Sequence, residues 1–288
     1  AIPLNAIHDV AIEGEVVLRF GVTLPDSTTG VIRIVFDHPS DARRVMVDLP
    51  TRTTDAEREE RGRTRSFRAA MSGNRGTPLT TLLLLANVAL FIVTGMRGSG
   101  WENASPTTLI ELGSNFGPLT TNGEWWRLIT ATFLHAGAMH LVVNMITLND
   151  IGRLCERLYG GPRYAIVYLL SGLCGSIASL WWNPWVHGVG ASGAVFGVMG
   201  AAFLYLVDRR NGVPMSVMRS HLIVMGIFIV YALVSGFGRD HVDNAAHVGG
   251  LVAGLLLGWS LAKPLNGMRT ASPIAMATGI ATLVLTAG

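Results

Sequence analysis

Two polar residues within apolar stretches are the first sign of chemistry in this chain. Ser192 begins one such stretch, and His247 lies near the start of another. Polar side chains are costly inside a bilayer and are usually functional there. A serine hydroxyl is a weak nucleophile until a base takes its proton, and an imidazole is suited to that task near neutral pH. The pair therefore predicts nucleophilic catalysis inside a membrane by a Ser–His dyad.

Two further polar residues, His140 and Asn144, share a helix face because they are four residues apart. An asparagine amide and the backbone N–H of Ser192 at a helix start are suitable donors to a tetrahedral oxyanion. The alternative is that His140 and Asn144 form a polar clamp between helices. His135 and His140 have no carboxylate or cysteine with ligand spacing, so we expect no metal.

A structural alternative also exists for the dyad. Ser192 would then only cap a helix, as serine commonly does, and His247 would satisfy a core carbonyl. Asp243, one turn before His247, is interpreted as an acid that stabilises a helix N-terminus and not as a third triad member. Catalysis is favoured by depth, because Ser192 and His247 both lie ~2–8 Å below their helix starts. His140 and Asn144 reach the same level.

The composition is that of a membrane protein. Only 14% of the residues are charged, 50% are hydrophobic and the mean hydropathy is +0.43, whereas soluble domains carry about 25% charged residues. A span needs about 20 apolar residues. The sequence therefore predicts an all-α polytopic membrane protein with these spans: Leu79–Met96, Ala138–Leu158, Tyr164–Trp182, Ser192–Val207, Leu222–Phe237 and Asn244–Ala262.

The amino-terminal residues 1–70 differ from the rest and predict a small, β-rich extramembrane domain with a basic linker. Short β-branched runs separated by turn residues predict its strands. The polar, arginine-rich residues 51–76 are interpreted as the linker. The strand candidates are Val16–Phe20, Val31–Phe36 and Val45–Val47.

The basic residues predict the orientation of the spans. They lie before the first span and then in every second connection, so we expect a cytoplasmic amino terminus. The basic residues do not identify the membrane, and a bacterial plasma membrane is the default assumption. The arginine run from Arg52 to Arg75 is attributed to orientation and anionic lipid, and no nucleic-acid partner is expected. After a six-span core at residues 71–262, the segment 263–288 contains the uncharged stretch Pro273–Ala287, which predicts a seventh helix.

Glycines line two of the predicted spans. Gly190 and Gly193 flank Ser192, while Gly250 and Gly254 form a small-xxx-small face on the last span. Such faces let helix backbones approach closely, which would bring the fourth and sixth spans together. For the glycines alone, packing without catalysis is the favoured interpretation.

The chain resembles the rhomboid family of intramembrane serine proteases. The resemblance covers roughly residues 79 to 262, and the combination of motifs is far more specific than any one of them. The four motifs are the GxSG-like segment Gly190–Gly193, the catalytic-histidine-like segment Ala246–Gly250 with Gly254, the HxxxN-like segment His140–Asn144 and the WR-like segment Glu124–Arg127.

This resemblance implies a rhomboid-like six-helix transmembrane bundle, here with a seventh, carboxy-terminal helix. It implies cleavage of substrate transmembrane segments near the outer membrane face, without a cofactor. By the same resemblance Ser192 is the nucleophile and His247 is the base. His140, Asn144 and the Ser192 amide then line the oxyanion hole, with Gly190 beside it.

The resemblance also implies supporting roles for three aromatic and basic residues. Phe196, one turn below Ser192, matches the aromatic residue against which the catalytic imidazole packs. Trp126 and Arg127 would position the outer loop that lies partly in the lipid. The amino-terminal domain falls outside the resemblance.

Three classes of function compete. The first is a membrane-embedded serine endopeptidase whose partners are the lipid bilayer and membrane-protein substrates with a transmembrane helix. The second is an inactive rhomboid-like protein that binds transmembrane clients, but such relatives generally lack the nucleophile or base, and this chain has Ser192 and His247. The third is a transporter, which predicts polar residues at the midplane between repeats. The polar residues here gather near one face, so the sequence favours the endopeptidase.

Overall fold

A three-stranded antiparallel sheet opens the chain in the computed structural model, which describes residues 2–50, 52–72, 76–236 and 242–263. The strands are β1 (Ile7–Glu13), β2 (Val17–Thr23) and β3 (Thr29–Val35), in the order β1-β2-β3. The second and third strands lie at predicted positions, whereas β1 was not predicted. Its inward side chains, with Leu18 and Phe20 of β2, form a small core.

The third predicted strand is wrong, because the run Val45–Val47 ends a helix, α1 (Pro39–Val47). Pro39 lies at the start of this helix and Asp41 in its first turn, and both residue types favour a helix N-terminus. These start signals override the β-propensity of the two valines. Val47 is 83% exposed, so no strand partner holds it.

The segment predicted as a linker contains a long helix, α2 (Asp55–Ser72). Its start is capped by Thr54, whose Oγ1 accepts a hydrogen bond from the Glu57 N–H at 3.3 Å. Thr54 is itself held by Asp9, which accepts bonds from the Thr54 N–H and hydroxyl, each at 2.6 Å. The described residues divide into two compact units, and the boundary along the chain falls between Arg65 and Ser66, within this helix.

All regular elements that the structure describes in the second unit are helices. Short helices lie in residues 95–137, called here the first long connection, and longer ones form most of the rest. The helices are α3 (Pro78–Thr94), α4 (Pro106–Leu112), α5 (Gly117–Thr120), α6 (Arg127–Thr130), α7 (Ala138–Thr147), α8 (Arg153–Tyr159), α9 (Gly161–Trp182), α10 (Ser192–Val207), α11 (Met215–Gly236) and α12 (Asn244–Leu261).

Each of the six predicted spans is helical over almost all of its described residues. Among the described residues, four helices are long and apolar enough to cross a membrane, and they contain α3, α9, α11 and α12. The helical segments Arg127–Phe133 and Ala138–Tyr159 together make a fifth candidate, bent by 89°. The fourth predicted span, α10, has 16 residues, fewer than the roughly 20 that cross a bilayer. The protein is therefore a mostly helical, integral multi-pass membrane protein.

One boundary of the predicted spans differs from the structure, and the predicted seventh helix stays a prediction. The helix α11 begins at Met215, seven residues before the predicted Leu222 (222 − 215 = 7). The predicted span began later because Arg219 and His221, in the first two turns of the helix, interrupt the apolar stretch. The predicted seventh helix, Pro273–Ala287, lies outside the described residues.

Glycines bring α9, α10 and α12 into direct backbone contact. A Cβ built on Gly175 of α9 would lie 2.9 Å from the Ala246 carbonyl oxygen of α12 and 3.3 Å from Gly193 Cα of α10. Because no side chain separates the backbones here, the three helices meet at the level where α10 begins. This is the level of the predicted site.

Candidate active site

The loop before Ser192 is tied to the rest of the unit by main-chain hydrogen bonds. Gly188 and Asn115 exchange two such bonds, at 2.9 and 3.0 Å, and the Gly190 N–H donates to the Ala131 carbonyl at 2.9 Å. Asn115 and Ala131 lie at two separate places in the first long connection. They hold the start of α10, and therefore Ser192, in one position.

Gly190 is required at its position for two reasons. Its φ of +130° is one that only glycine adopts readily. A Cβ built on it would also lie 2.7 Å from His140 Cε1, 2.8 Å from His140 Nε2 and 3.7 Å from Ser192 Oγ. The His140 ring and the Ser192 hydroxyl therefore flank the same small space beside Gly190.

The His247 ring is stacked on Phe196. The two ring centroids are 4.3 Å apart and the planes are inclined by only 6°. Phe196 lies one turn after Ser192 on α10, so the helix that carries the hydroxyl also orients the imidazole. Within the described residues no side-chain hydrogen bond joins Ser192 to His247, and His247 Nδ1 is buried without a partner. A hydroxyl–imidazole bond that is absent in a free enzyme often forms only when substrate is bound.

The stacked arrangement depends on close approach of α10 and α12. A Cβ on Gly250 would overlap the Gly193 carbonyl, and one on Gly254 would overlap the Gly197 carbonyl. These contacts are the predicted packing of the fourth span against the sixth. They leave no room for any side chain at either α12 glycine.

Asp243 caps the start of α12 and does not orient the imidazole. Its Oδ1 accepts a hydrogen bond from the Ala246 N–H at 2.9 Å. This is the structural role that the sequence predicted for this acid. Within the described residues, no acidic side chain is hydrogen-bonded to the His247 ring.

The second predicted pair is divided between two environments. His140 faces Gly190, whereas Asn144 is buried and donates from Nδ2 to the His140 carbonyl at 3.0 Å. An amide has two N–H donors, so one remains for another acceptor. His135, which is fully buried, packs edge-on against His140 with ring centroids 5.1 Å apart. Among the described residues no group of three His, Cys, Asp or Glu side chains is placed to hold a metal.

A small cavity of about 20 Å³ lies beside Ser192, and polar side chains line much of it. This is about the volume that one water molecule needs. Sequence reasoning missed these polar residues because they come from three separate segments, two of them from α9, and only their shared position marks them. They are Asn115, Thr132, Ser176 and Ser179.

Arg127 anchors the first long connection. Its guanidinium is buried, forms an ion pair with Glu124 at 2.7 Å and donates to the Ile110 carbonyl at 2.6 Å and the Ser114 carbonyl at 3.2 Å. The guanidinium also lies 4.7 Å from the centroid of the Trp126 ring, which is half-exposed. It thereby satisfies carbonyls at the end of α4, where a cation is favoured by the helix dipole. Arg127 thus ties its own segment to the end of α4.

The chain is similar to known proteases over most of its helical part. Residues 122–264 match the Rhomboid domain family. It is 34% identical over 203 residues to rhomboid protease GluP of Bacillus subtilis, which covers 70% of this chain and 38% of that protein. It is 31% identical over 200 residues to rhomboid protease AarA of Providencia stuartii, covering 62% and 70% respectively. A match of 33% over 214 residues joins it to RHOMBOID-like protein 6, mitochondrial, of Arabidopsis thaliana, covering 64% and 68%.

These matches include relatives of which the chain covers more than two thirds. The family match, over residues 122–264, includes the helices that carry Ser192 and His247. Only a minor part of the length of GluP is covered. On these similarities and on its fold, the chain belongs to the rhomboid family of intramembrane proteases.

Proposed function

We propose that this protein is an intramembrane serine endopeptidase that cleaves transmembrane segments of membrane-protein substrates near the outer membrane face. The observation that carries the proposal is the parallel stack of His247 on Phe196, one turn after Ser192. This stack fixes the plane of the imidazole from the serine's own helix, as positioning of a general base requires. The relatives GluP and AarA are named rhomboid proteases, which supports the same activity.

In the proposed reaction the neutral His247 imidazole takes the Ser192 hydroxyl proton while Oγ bonds to the scissile carbonyl carbon. The imidazolium then gives that proton to the leaving amine as the C–N bond breaks. A water molecule attacks the resulting acyl-enzyme by the same route, which restores the free serine and releases the new carboxyl end. The cycle needs no cofactor.

The proposed oxyanion hole combines the Ser192 backbone N–H with the side chains of His140 and Asn144. Its support is the space beside Gly190, because His140 Nε2 and Ser192 Oγ both border it. The uncommitted N–H of Asn144 is the third donor. Gly190 contributes by having no side chain to fill the hole.

We also propose the sidedness and division of the chain. The alternation of basic connections supports a cytoplasmic amino terminus. A bacterial plasma membrane is the default assumption for the membrane itself. Residues 1–70 would be a cytoplasmic domain with its basic linker, residues 71–262 the protease core, and residues 263–288 a carboxy-terminal segment. Ser192 and His247, at the starts of inward-running helices, would then lie near the outer face.

The test is cleavage of a single-span substrate reconstituted with the full chain in liposomes. We expect Ser192→Ala and His247→Ala each to lower the rate at least about 10⁴-fold. Ser220→Ala is the matched control, because Ser220 is an exposed serine on α11, and it should cut at the unaltered rate. All variants should keep the wild-type unfolding temperature.

A serine-directed fluorophosphonate probe provides a second readout. It should label wild-type protein and the Ser220→Ala variant at Ser192, and it should leave the Ser192→Ala variant unlabelled. If the folded wild-type protein neither labels nor cuts, the client-binding function replaces the endopeptidase. If both dyad variants still cut, another pair of residues carries the reaction.

A further inference from the structure

A cavity that is open to solvent and lined by arginines lies on the amino-terminal half of α2, within the first unit. Its volume is about 390 Å³, and its lining residues are Thr53, Arg58, Arg61, Gly62 and Arg65. The proposed proteolysis uses none of these residues. The cavity is also far larger than a water site, so it has room for a polyatomic ligand.

Helical spacing explains why the three guanidiniums face one space. Arg58, Arg61 and Arg65 stand three and four residues apart, which places them on one side of a helix. Gly62 lies between them without a side chain, and a Cβ built on it would have nothing within 4 Å. The floor of the cavity is therefore open backbone with cationic side chains around it.

The charges of these arginines are only partly compensated. Arg58 pairs with Asp55, where the two side chains are 65% and 96% exposed, and the Arg61 Nε pairs with Glu57 at 2.9 Å. Arg65 makes no ion pair within the described residues. Exposed ion pairs contribute little, so an incoming anion can replace the Asp55 contact at small cost. Most of the N–H donors of the three guanidiniums remain for a ligand.

The donor set matches phosphate. Guanidinium groups bind phosphate oxygens in bidentate fashion, and several arginines around one space suit a compact group with several acceptors. An extended polyanion suits the unit less well, because residues 1–65 carry 9 arginines and 11 acids, a net charge of −2 (9 − 11). The positive charge is local, and a single phosphate group is the ligand that fits a local cluster.

The position in the chain supplies a source for that phosphate. Arg65 stands 13 residues before Pro78, where the first span begins (78 − 65 = 13). Basic residues beside a first span commonly meet the phosphates of anionic lipids. We propose that the cavity lined by Arg58, Arg61 and Arg65 is a phosphate-binding site, which takes either an anionic phospholipid headgroup or free phosphate.

The test measures how fast phenylglyoxal, an arginine-specific reagent, modifies each arginine of the full chain in nanodiscs. One arm uses phosphatidylcholine nanodiscs with added inorganic phosphate, and the other uses nanodiscs with increasing phosphatidylglycerol and no phosphate. Arg43 and Arg44 of α1 are exposed and serve as internal references. We expect Arg58, Arg61 and Arg65 to be protected relative to these references in at least one arm.

Two matched variants separate a site from diffuse attraction. Arg65→Gln breaks no ion pair of α2, and it should raise about fivefold the anion level that half-protects Arg58 and Arg61. Arg43→Gln makes the same change of charge and should leave that level unaltered. Protection in the lipid arm alone identifies the headgroup as the ligand, and protection in the phosphate arm alone identifies the free anion. The proposal fails if neither arm protects the three arginines, or if both variants weaken protection equally.

Discussion

The helices α11 and α12 are both apolar enough to cross a membrane, but they differ in how much of their surface is buried within the protein. In α12, 39% of the apolar stretch is buried within the protein, whereas in α11, the more apolar of the two, only 6% is buried. Half of the large apolar side chains of α11, Ile227 and Val230 among them, are exposed and therefore face lipid in a membrane protein. Apolar character alone thus does not decide which helix is packed in the centre.

Glycine spacing explains the difference. Gly250, Gly254 and Gly258 recur every four residues on α12, and each meets the backbone of α10 directly. Gly226 on α11 has no atom within 4 Å of its built Cβ. Lipid tails are as apolar as leucine, so helices in a bilayer associate through close packing and not through hydrophobicity. The small-residue face is what places α12, and with it His247, beside α10.

The most direct test of the role of glycine spacing is to add one methyl group to each helix. Gly250→Ala would push a Cβ into the Gly193 carbonyl, and we expect a loss of about 3 kcal/mol because backbone must move. Gly226→Ala adds the same methyl in open space and should gain up to about 1 kcal/mol of helix propensity. Unfolding temperatures in detergent measure both. Equal effects at the two positions would refute the assigned role of glycine spacing.

Truncation of large side chains tests whether helices differ in packing as their burial indicates. Met199 of α10 is 1% exposed, and Met199→Ala should cost about 2 kcal/mol because it leaves a cavity in packed helices. Ile227 of α11 is 65% exposed, and Ile227→Ala should cost less than about 0.5 kcal/mol. Reversible unfolding of the two variants gives the difference. A large loss at Ile227 would mean that α11 is packed in the protein after all.

A third pair of variants tests a different kind of helix contact, in which a side chain of α8 caps the start of α3. The buried Glu156 of α8 accepts hydrogen bonds from the Leu79 N–H at 3.0 Å and the Thr80 N–H at 2.8 Å, at the start of α3. Glu156→Gln turns one acceptor into a donor that faces these N–H groups, and should cost about 1–2 kcal/mol. Glu111→Gln makes the same change at an exposed position of α4 and should be neutral. Thermal unfolding separates the two, and a neutral Glu156→Gln would show that the cap is dispensable.

The smallest expected effect concerns the loop before Ser192. His187 is stacked on Phe116, with ring centroids 4.5 Å apart. Burial lowers the pKa of His187 below its ordinary value of 6.5, so the unfolded chain binds the proton more readily. This group therefore favours the fold fully above about pH 6.5, and stability is lost as the pH falls below that value.

The variant His187→Phe keeps a ring on Phe116 and removes the titration. Its unfolding temperature should fall less than that of the wild type between about pH 8 and pH 5.5. His8→Phe, in the first unit, is a control for the loss of a histidine as such. Identical pH profiles for wild type and His187→Phe would exclude the stack as the source of this pH dependence.

Much of the framework could be predicted from the sequence. Long apolar segments, the glycine row Gly250–Gly258 and turn residues between β-branched runs are local patterns, and each follows from the few residues that form it. The third strand failed for the same reason, since a strong helix start at Pro39 outweighed the β-propensity of Val45 and Val47. Ser192 and His247 could be singled out because a polar group in an apolar helix is conspicuous by itself.

The sequence by itself determined which polar side chains lie in apolar helices and which helices can pack closely. Only the tertiary structure decided that Phe196 lies flat against His247, that His140 borders the space beside Gly190, and that Asn115 braces the loop before Ser192. Asp9, held against Thr54 across 45 residues, is a similar case in the first unit. These contacts join segments far apart in the chain. Periodicity and capping signals report only on residues within a few turns, so such contacts become visible only when the whole chain is packed.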